Sequence, residues 1–310
     1  FDDVHHPIAR DQHFIDKCRA LAAAALGYTV SGPPRWQFAP PATTAATRLP
    51  ERSSGFSAAG SPPAAIMPAT SERWPPARAQ TAVQVLAASD LKFALAHVAA
   101  AYQQGSGQRV NLTFGSSGNL VRQIEQGLRA DLFMSADETL ALRLADAGLT
   151  QGRGQVYGTG RLALLVTRDS TVRLSTDLAS LGEALTRSMS FKLAIANPEH
   201  APYGRAARQA LQAAGLWERA QNHLVLGDNA AQATQFVVSG AVPAGLAPHS
   251  LALAPEVSRS TRFALVDASL HAPLRQRMVL LKNASPQAAQ FYTYLQSEAA
   301  RATLARWGFE

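Results

Sequence analysis

Four short stretches of this sequence share one arrangement: an apolar run ends, small or polar residues follow, and a helical pattern starts. They are Ala87-Ala88-Ser89-Asp90, Phe114-Gly115-Ser116-Ser117-Gly118, Pro198-Glu199-His200-Ala201-Pro202-Tyr203-Gly204 and Gly227-Asp228-Asn229-Ala230. The N–H groups of a helix's first turn have no intrahelical partner, and they carry the positive end of its dipole. Such an end binds an anion without a cationic side chain. Ser89, Ser116 and Ser117 add hydroxyl donors, which favour a fully deprotonated acceptor. The glycines flanking Ser116 and Ser117 allow a close approach of backbone to ligand. Taken singly, each turn is also an ordinary helix cap. In parallel α/β sheets, however, all such turns lie at the carboxyl ends of the strands, where ligands bind. Two lobes with two turns each could surround one small oxyanion.

The elements that must hold these turns alternate from Val83 onward. Apolar runs predict strands at 83–87, 110–114, 131–135, 162–167, 193–196, 225–226, 244–247, 263–266 and 278–281. Helical periodicity predicts helices over 90–104 (closed by Gly105), 119–127, 138–148, 203–215 and 230–239, with one or two more over 286–307. This is the pattern of an α/β protein whose sheets are mostly parallel. About 230 residues of it suit two lobes.

The first 80 residues differ. They hold 11 of the 18 prolines, are rich in Ser, Ala and Thr, and show no sustained period. They read as a disordered or non-native extension, with one short helix over 14–27. Ala77-Arg78-Ala79 has the small-x-small shape of a secretory cleavage site, which sets the start of the mature protein near Gln80. The residues before it (Ser71 to Pro76) form no apolar core, so a signal peptide is not recognisable, and an ordinary linker is the alternative reading. Cys18 is the one cysteine, which excludes an intrachain disulfide; Ile15-Asp16-Lys17 before it is no lipid-attachment motif. No apolar run approaches the ~20 residues of a membrane-spanning helix. The net charge of +7 comes from 25 Arg and 4 Lys, scattered without a basic run, so nucleic acid is not an expected partner. His5, His6 and His13 lie in the extension and are not expected to form a metal site.

From Val83 to Glu310 the chain resembles the periplasmic molybdate-binding proteins of ABC importers. The resemblance rests on Ala-Ala-Ser-Asp-Leu at 87–91, Phe-Gly-Ser-Ser-Gly at 114–118, and Arg122-Gln123-Ile124 with Gly127. It continues through 131–137 (Asp-Leu-Phe-Met-Ser-Ala-Asp), Ala196-Asn197-Pro198 to Gly204, Gly240 to Ser250, and Trp307-Gly308-Phe309. It implies a type II periplasmic-binding fold with a cleft between two lobes. Lobe I would take residues 81–160 and about 274–310, and lobe II about 161–273. It implies capture of molybdate or tungstate in the periplasm by a monomer, lobe closure, and delivery to an inner-membrane ABC permease. No cofactor and no catalysis are implied, and molybdenum would enter only as the oxyanion, with no direct protein ligand. Carried over by position, Ser89 and Ser117 would donate hydroxyl and backbone hydrogen bonds, and Tyr203 and Ala230 backbone N–H groups. Asp90, Ser116 and Asn229 are additional cleft candidates.

Two departures matter. Some members place a ligand-binding Tyr in a late strand; here that position is Pro248, and the ring of Tyr203 is placed to fill the gap. Asp90 stands where some members have a neutral side chain. A carboxylate facing a dianion repels it, so Asp90 is expected to point away or to cap its own helix. If it points inward, a protonated phosphate becomes the rival ligand, with Asp90 accepting its hydrogen bond. The sensor domain of a transcription regulator shares this fold, but residues 1–80 are too proline-rich for a DNA-reading helix pair. An enzyme using Ser116 or Ser117 with His200 or His249 lacks a Gly-x-Ser-x-Gly turn. Residues 81–310 carry 21 basic against 16 acidic groups, a balance that weakly steers any dianion.

Overall fold

The computed structural model describes residues 82–310. The expected cleavage after Ala79, the helix over 14–27, Cys18 and the three early histidines lie outside the described residues.

β1 (Val83–Ala88) is apolar almost throughout and buried on both faces, the pattern of a central parallel strand. A single 3-10 turn, Ser89–Leu91, leads into α1 (Lys92–Ser106). That helix buries Ala94, Leu95, Val98, Ala99 and Tyr102, one stripe at helical spacing. It ends at Gly107, whose φ of 71° is the left-handed terminator; Gly105, the expected stop, lies inside the helix. β2 (Val110–Gly115), α2 (Ser117–Glu125), β3 (Leu132–Ser135), α3 (Glu138–Asp146) and β4 (Gln155–Gly160) complete the first run of elements. The chain then passes into β5 (Leu162–Thr167), α4 (Ala179–Arg187), β6 (Leu193–Ala196), α5 (Pro202–Ala213), α6 (Trp217–Ala220), β7 (Leu224–Gly227), α7 (Ala230–Val238), β8 (Ala244–Pro248), α8 (His249–Ala252), α9 (Pro255–Ser258) and β9 (Thr261–Leu265). It returns through β10 (Leu274–Leu280) and closes with α10 (Pro286–Leu295) and α11 (Glu298–Arg306). β4 and α4 were not expected from the sequence.

Two five-stranded sheets result, ordered β2-β1-β3-β10-β4 and β7-β6-β8-β5-β9. Each keeps the expected parallel strands as a set of three, β2-β1-β3 and β7-β6-β8. The last two strands of each run antiparallel to their neighbours, so both sheets are mixed. The antiparallel members include those by which the chain passes between sheets: β4 leads directly into β5, and β10 brings it back.

Both sheets are covered on two faces. On the first, Leu91, Leu95, Val98, Phe291 and Leu304 pack beneath α1, α10 and α11, while Leu86, Leu120, Phe133 and Leu144 pack beneath α2 and α3. On the second, Leu164, Leu181, Ile195 and Leu211 fill the side of α4 and α5, and Leu165, Val237, Ala252 and Val257 the side of α7 to α9. Burial of this kind stabilises by roughly 25 cal/mol per Å² of apolar surface and holds the strand ends rigidly.

Candidate anion-binding site

All four turns singled out in the sequence meet at one small cavity between the lobes. Ser89 and Asp90 reach it from the end of β1, and Gly115, Ser116 and Ser117 from the end of β2. Pro202 and Tyr203 reach it from the start of α5, and Ala230 from the start of α7. A fifth strand end also contributes: Ala136, after β3, lines the cavity. Ala136 obeys the same rule, a strand end followed by a small residue and a helix start, but it was not among the residues expected in the cleft.

At the three longer helix ends only some of the first-turn N–H groups are taken by the protein itself. At α2, Ser116 Oγ accepts from Asn119 N–H at 3.4 Å, Leu120 N–H donates to the Ser116 carbonyl at 3.0 Å, and Gly118 N–H donates to the His200 carbonyl at 2.9 Å. At α7, Asn229 Oδ1 accepts from Gln232 N–H at 3.0 Å, and Ala231 N–H donates to Ser89 Oγ at 3.2 Å. At α5, Pro202 has no N–H, so Tyr203 supplies the first donor. Among the described residues, the N–H groups of Ser117, Tyr203 and Ala230 have no protein partner. Ser117 Oγ accepts from Ala136 N–H at 3.0 Å. Ser89 and Ser117 therefore each accept one bond and keep a hydroxyl hydrogen to donate. Both are buried.

Asp90 does not cap its helix at the protein surface. It is 1% exposed. Its Oδ2 accepts from Gln276 Nε2 at 2.7 Å, and its backbone carbonyl accepts from Ser250 Oγ at 2.8 Å. Gln276 Nε2 also donates to the Tyr203 hydroxyl oxygen at 3.2 Å, and Gln276 Oε1 accepts from Tyr157 O–H at 2.6 Å. Burial pushes the Asp90 carboxyl up to about 6, against the opposing hydrogen bonds of Gln276 and Tyr203. Burial, and then the neighbouring Asp90 charge, hold the phenols of Tyr157 and Tyr203 well above their ordinary range. The Tyr203 ring lines the cavity as expected, but its hydroxyl is turned to Asp90 and Gln276. It does not stand in for the donor absent at Pro248, which ends β8 opposite Leu162.

The remaining candidates have other duties. Ser116 Oγ bonds His200 Nδ1 at 2.9 Å, and Asn229 caps α7 outside the cavity lining. Asn119 Nδ2 donates to Asp228 Oδ1 at 3.3 Å, and Arg205 pairs with Asp137. These contacts, with Gly118 to His200 and Ala231 to Ser89, join the two lobes across the cleft. Ser116, His200 and Asp228 share the residue types of a nucleophilic triad, but not its arrangement. Ser116 Oγ is occupied as a cap, and Asp228 is 64% exposed and 3.6 Å from His200 Nε2. An exposed carboxylate at that distance does not fix an imidazole tautomer. Among the described residues no group of three His, Cys, Asp or Glu could hold a metal ion.

Two sheets enclosing a cleft lined by helix N-termini define a two-lobed solute-binding protein. The profile of the bacterial extracellular solute-binding proteins matches residues 83–310. The chain is 30% identical to the molybdate-binding protein ModA of Azotobacter vinelandii over 73% of its own length and 89% of that protein's. It is 29% identical to the Rhodobacter capsulatus ModA, over 68% of this chain and 81% of that one. The solved periplasmic molybdate-binding protein of A. vinelandii superposes with a TM-score of 0.67 at 26% identity, covering 74% of this chain and 98% of that chain. The chain belongs to the bacterial extracellular solute-binding protein family, in the branch of the molybdate-binding proteins. Members of that family carry solutes and do not catalyse reactions.

Proposed function

We propose that this protein captures molybdate, and tungstate equally, in the periplasm and delivers it as a monomer to an inner-membrane ABC permease. The observation that carries the reading is the convergence of three unpartnered backbone N–H groups (Ser117, Tyr203, Ala230) and two hydroxyls (Ser89, Ser117) on one small cavity. Such a set offers donors only, so it favours an anion that bears no proton. Each charge-assisted hydrogen bond in a dry site contributes roughly 1.5–3 kcal/mol. Selection against the smaller sulfate is steric, because rigid strand ends hold the donors at fixed spacing. Molybdate and tungstate nearly coincide in size and charge and are taken alike.

In this reading residues 81–160 and 274–310 form one lobe and 161–273 the other. The links between β4 and β5, and between β9 and β10, serve as the hinge. The anion bridges the lobes, and the bonds between Gly118 and His200 and between Ser89 and Ala231 hold them shut around it. The closed face is what the permease reads.

Thermal unfolding with molybdate, tungstate, sulfate and phosphate at equal concentration and pH tests this. A ligand at 100 times its Kd adds about 2.7 kcal/mol of stability. A rise in Tm with molybdate and tungstate alone is expected. A rise with phosphate or sulfate alone would overturn the ligand assignment.

A further inference from the structure

Capture by donors alone leaves one buried ionisable side chain without a task. Asp90 follows Ser89 directly, lines the same cavity as Ser89, Ser117 and Ala230, and is almost wholly shielded from solvent. Its Oδ2 is held by Gln276, and Oδ1 has no hydrogen-bond partner among the described residues.

Among the described residues no cation neutralises this carboxylate. Of the groups on the elements packed around it, Tyr157 on β4 and Tyr203 on α5 stay neutral. Arg275 and Arg277 flank Gln276 on β10, so their side chains leave on the opposite face, where both pair with Glu138. Arg205 on α5 is taken by Asp137. Lys92 at the start of α1 is exposed, and His249 at the start of α8 packs in a tilted ring contact with Phe263. β2 and α7 carry no titratable residue.

We propose that Asp90 makes anion capture proton-coupled: the cleft closes on a dianion only with Asp90 protonated, its O–H at Oδ1 donating to the anion. This rests on the reading of the cleft as an oxyanion site and adds its regulation. In the neutral form both carboxyl oxygens of Asp90 are used: Oδ2 accepts from Gln276 and Oδ1 donates to the ligand. In the ionised form the carboxylate sets a second negative charge beside the anion in a dry cavity, with no cation near it among the described residues. The step moves one proton from solvent to the carboxylate as the anion enters. Because the carboxyl of the empty protein titrates at about 6, the empty cleft is mostly ionised at neutral pH. Binding there takes up a proton, and affinity falls as pH rises, by up to about tenfold per pH unit.

Calorimetric titration of the whole chain with sodium molybdate at pH 6.5, 7.5 and 8.5, in buffers of differing ionisation heat, tests this. Wild type should weaken by up to about tenfold per pH unit and take up about one proton per anion at the highest pH. Asp90→Asn keeps a neutral donor there and should show a flat profile, binding more tightly than wild type at pH 8.5. A flat wild-type affinity without proton uptake would overturn the proposal, and so would an Asp90→Asn protein that keeps the slope. Tight phosphate binding without proton uptake would also overturn it, since Asp90 would then be an acceptor. Failure of both proteins to bind molybdate at any pH would instead overturn the oxyanion reading, and this proposal with it. The wild-type proton count stands whether or not the variant folds.

Discussion

Gly118 and His200 meet backbone to backbone across the cleft: the Gly118 N–H donates to the His200 carbonyl at 2.9 Å, and a Cβ on Gly118 would lie 2.5 Å from that oxygen. Glycine is required here by closeness rather than by backbone angle. Gly118→Ala should leave each lobe's core intact but hold the lobes apart. Overpacking of this kind costs roughly 1–3 kcal/mol. Molybdate affinity, measured by calorimetry, should fall by about tenfold or more. Wild-type affinity in the variant would show that the Gly118–His200 contact is not part of the closed state.

The two serines should separate affinity from stability. Ser89→Ala removes a donor and frees Ala231 N–H, which lies in a half-buried position that water can reach. Ser117→Ala removes a donor and also strands the N–H of Ala136, which is 1% exposed. Each variant should lose about 1.5–3 kcal/mol of binding free energy. Only Ser117→Ala should also lose about 1–3 kcal/mol of stability in urea unfolding of the anion-free protein. Equal stability losses would mean that the two hydroxyls do not have these different neighbours.

Asp90 makes the fold itself pH-dependent. Its folded carboxyl titrates at about 6, above the ordinary value of 3.8. Between those values the folded protein binds more protons than the unfolded chain, so stability falls as pH rises through this window and then levels off. The ionised form costs the fold about 3 kcal/mol above the window. Asp90→Asn should therefore raise Tm by several degrees at pH 7.5, with a gain that shrinks toward pH 4. A constant difference between the two proteins from pH 4 to pH 7.5 would rule out ionisation as its cause.

The four turns that meet at the cavity were legible in the sequence because each is local. Ser89, Ser117, Tyr203 and Ala230 all sit where an apolar run gives way to a helix. Gln276 was not legible. It stands 186 residues from Asp90 and arrives only because β10 returns antiparallel to the first sheet. β4 was missed because Gly158 and Gly160 weaken its strand pattern. Both glycines are demanded by packing. A Cβ at Gly158 would lie 3.1 Å from that of Phe309, and one at Gly160 2.1 Å from the Tyr203 hydroxyl. α4 was missed because it starts after Leu178, in a left-handed conformation (φ 64°) without a side-chain cap.

The convergence of helix N-termini on an oxyanion is tested most directly by a crystal structure of the protein grown with molybdate, with the molybdenum located by its anomalous scattering. One peak is predicted between the lobes, its oxygens within hydrogen-bond distance of the hydroxyls of Ser89 and Ser117 and the N–H groups of Ser117, Tyr203 and Ala230. A peak elsewhere on the molecule, or an empty cleft at saturating molybdate, would contradict it.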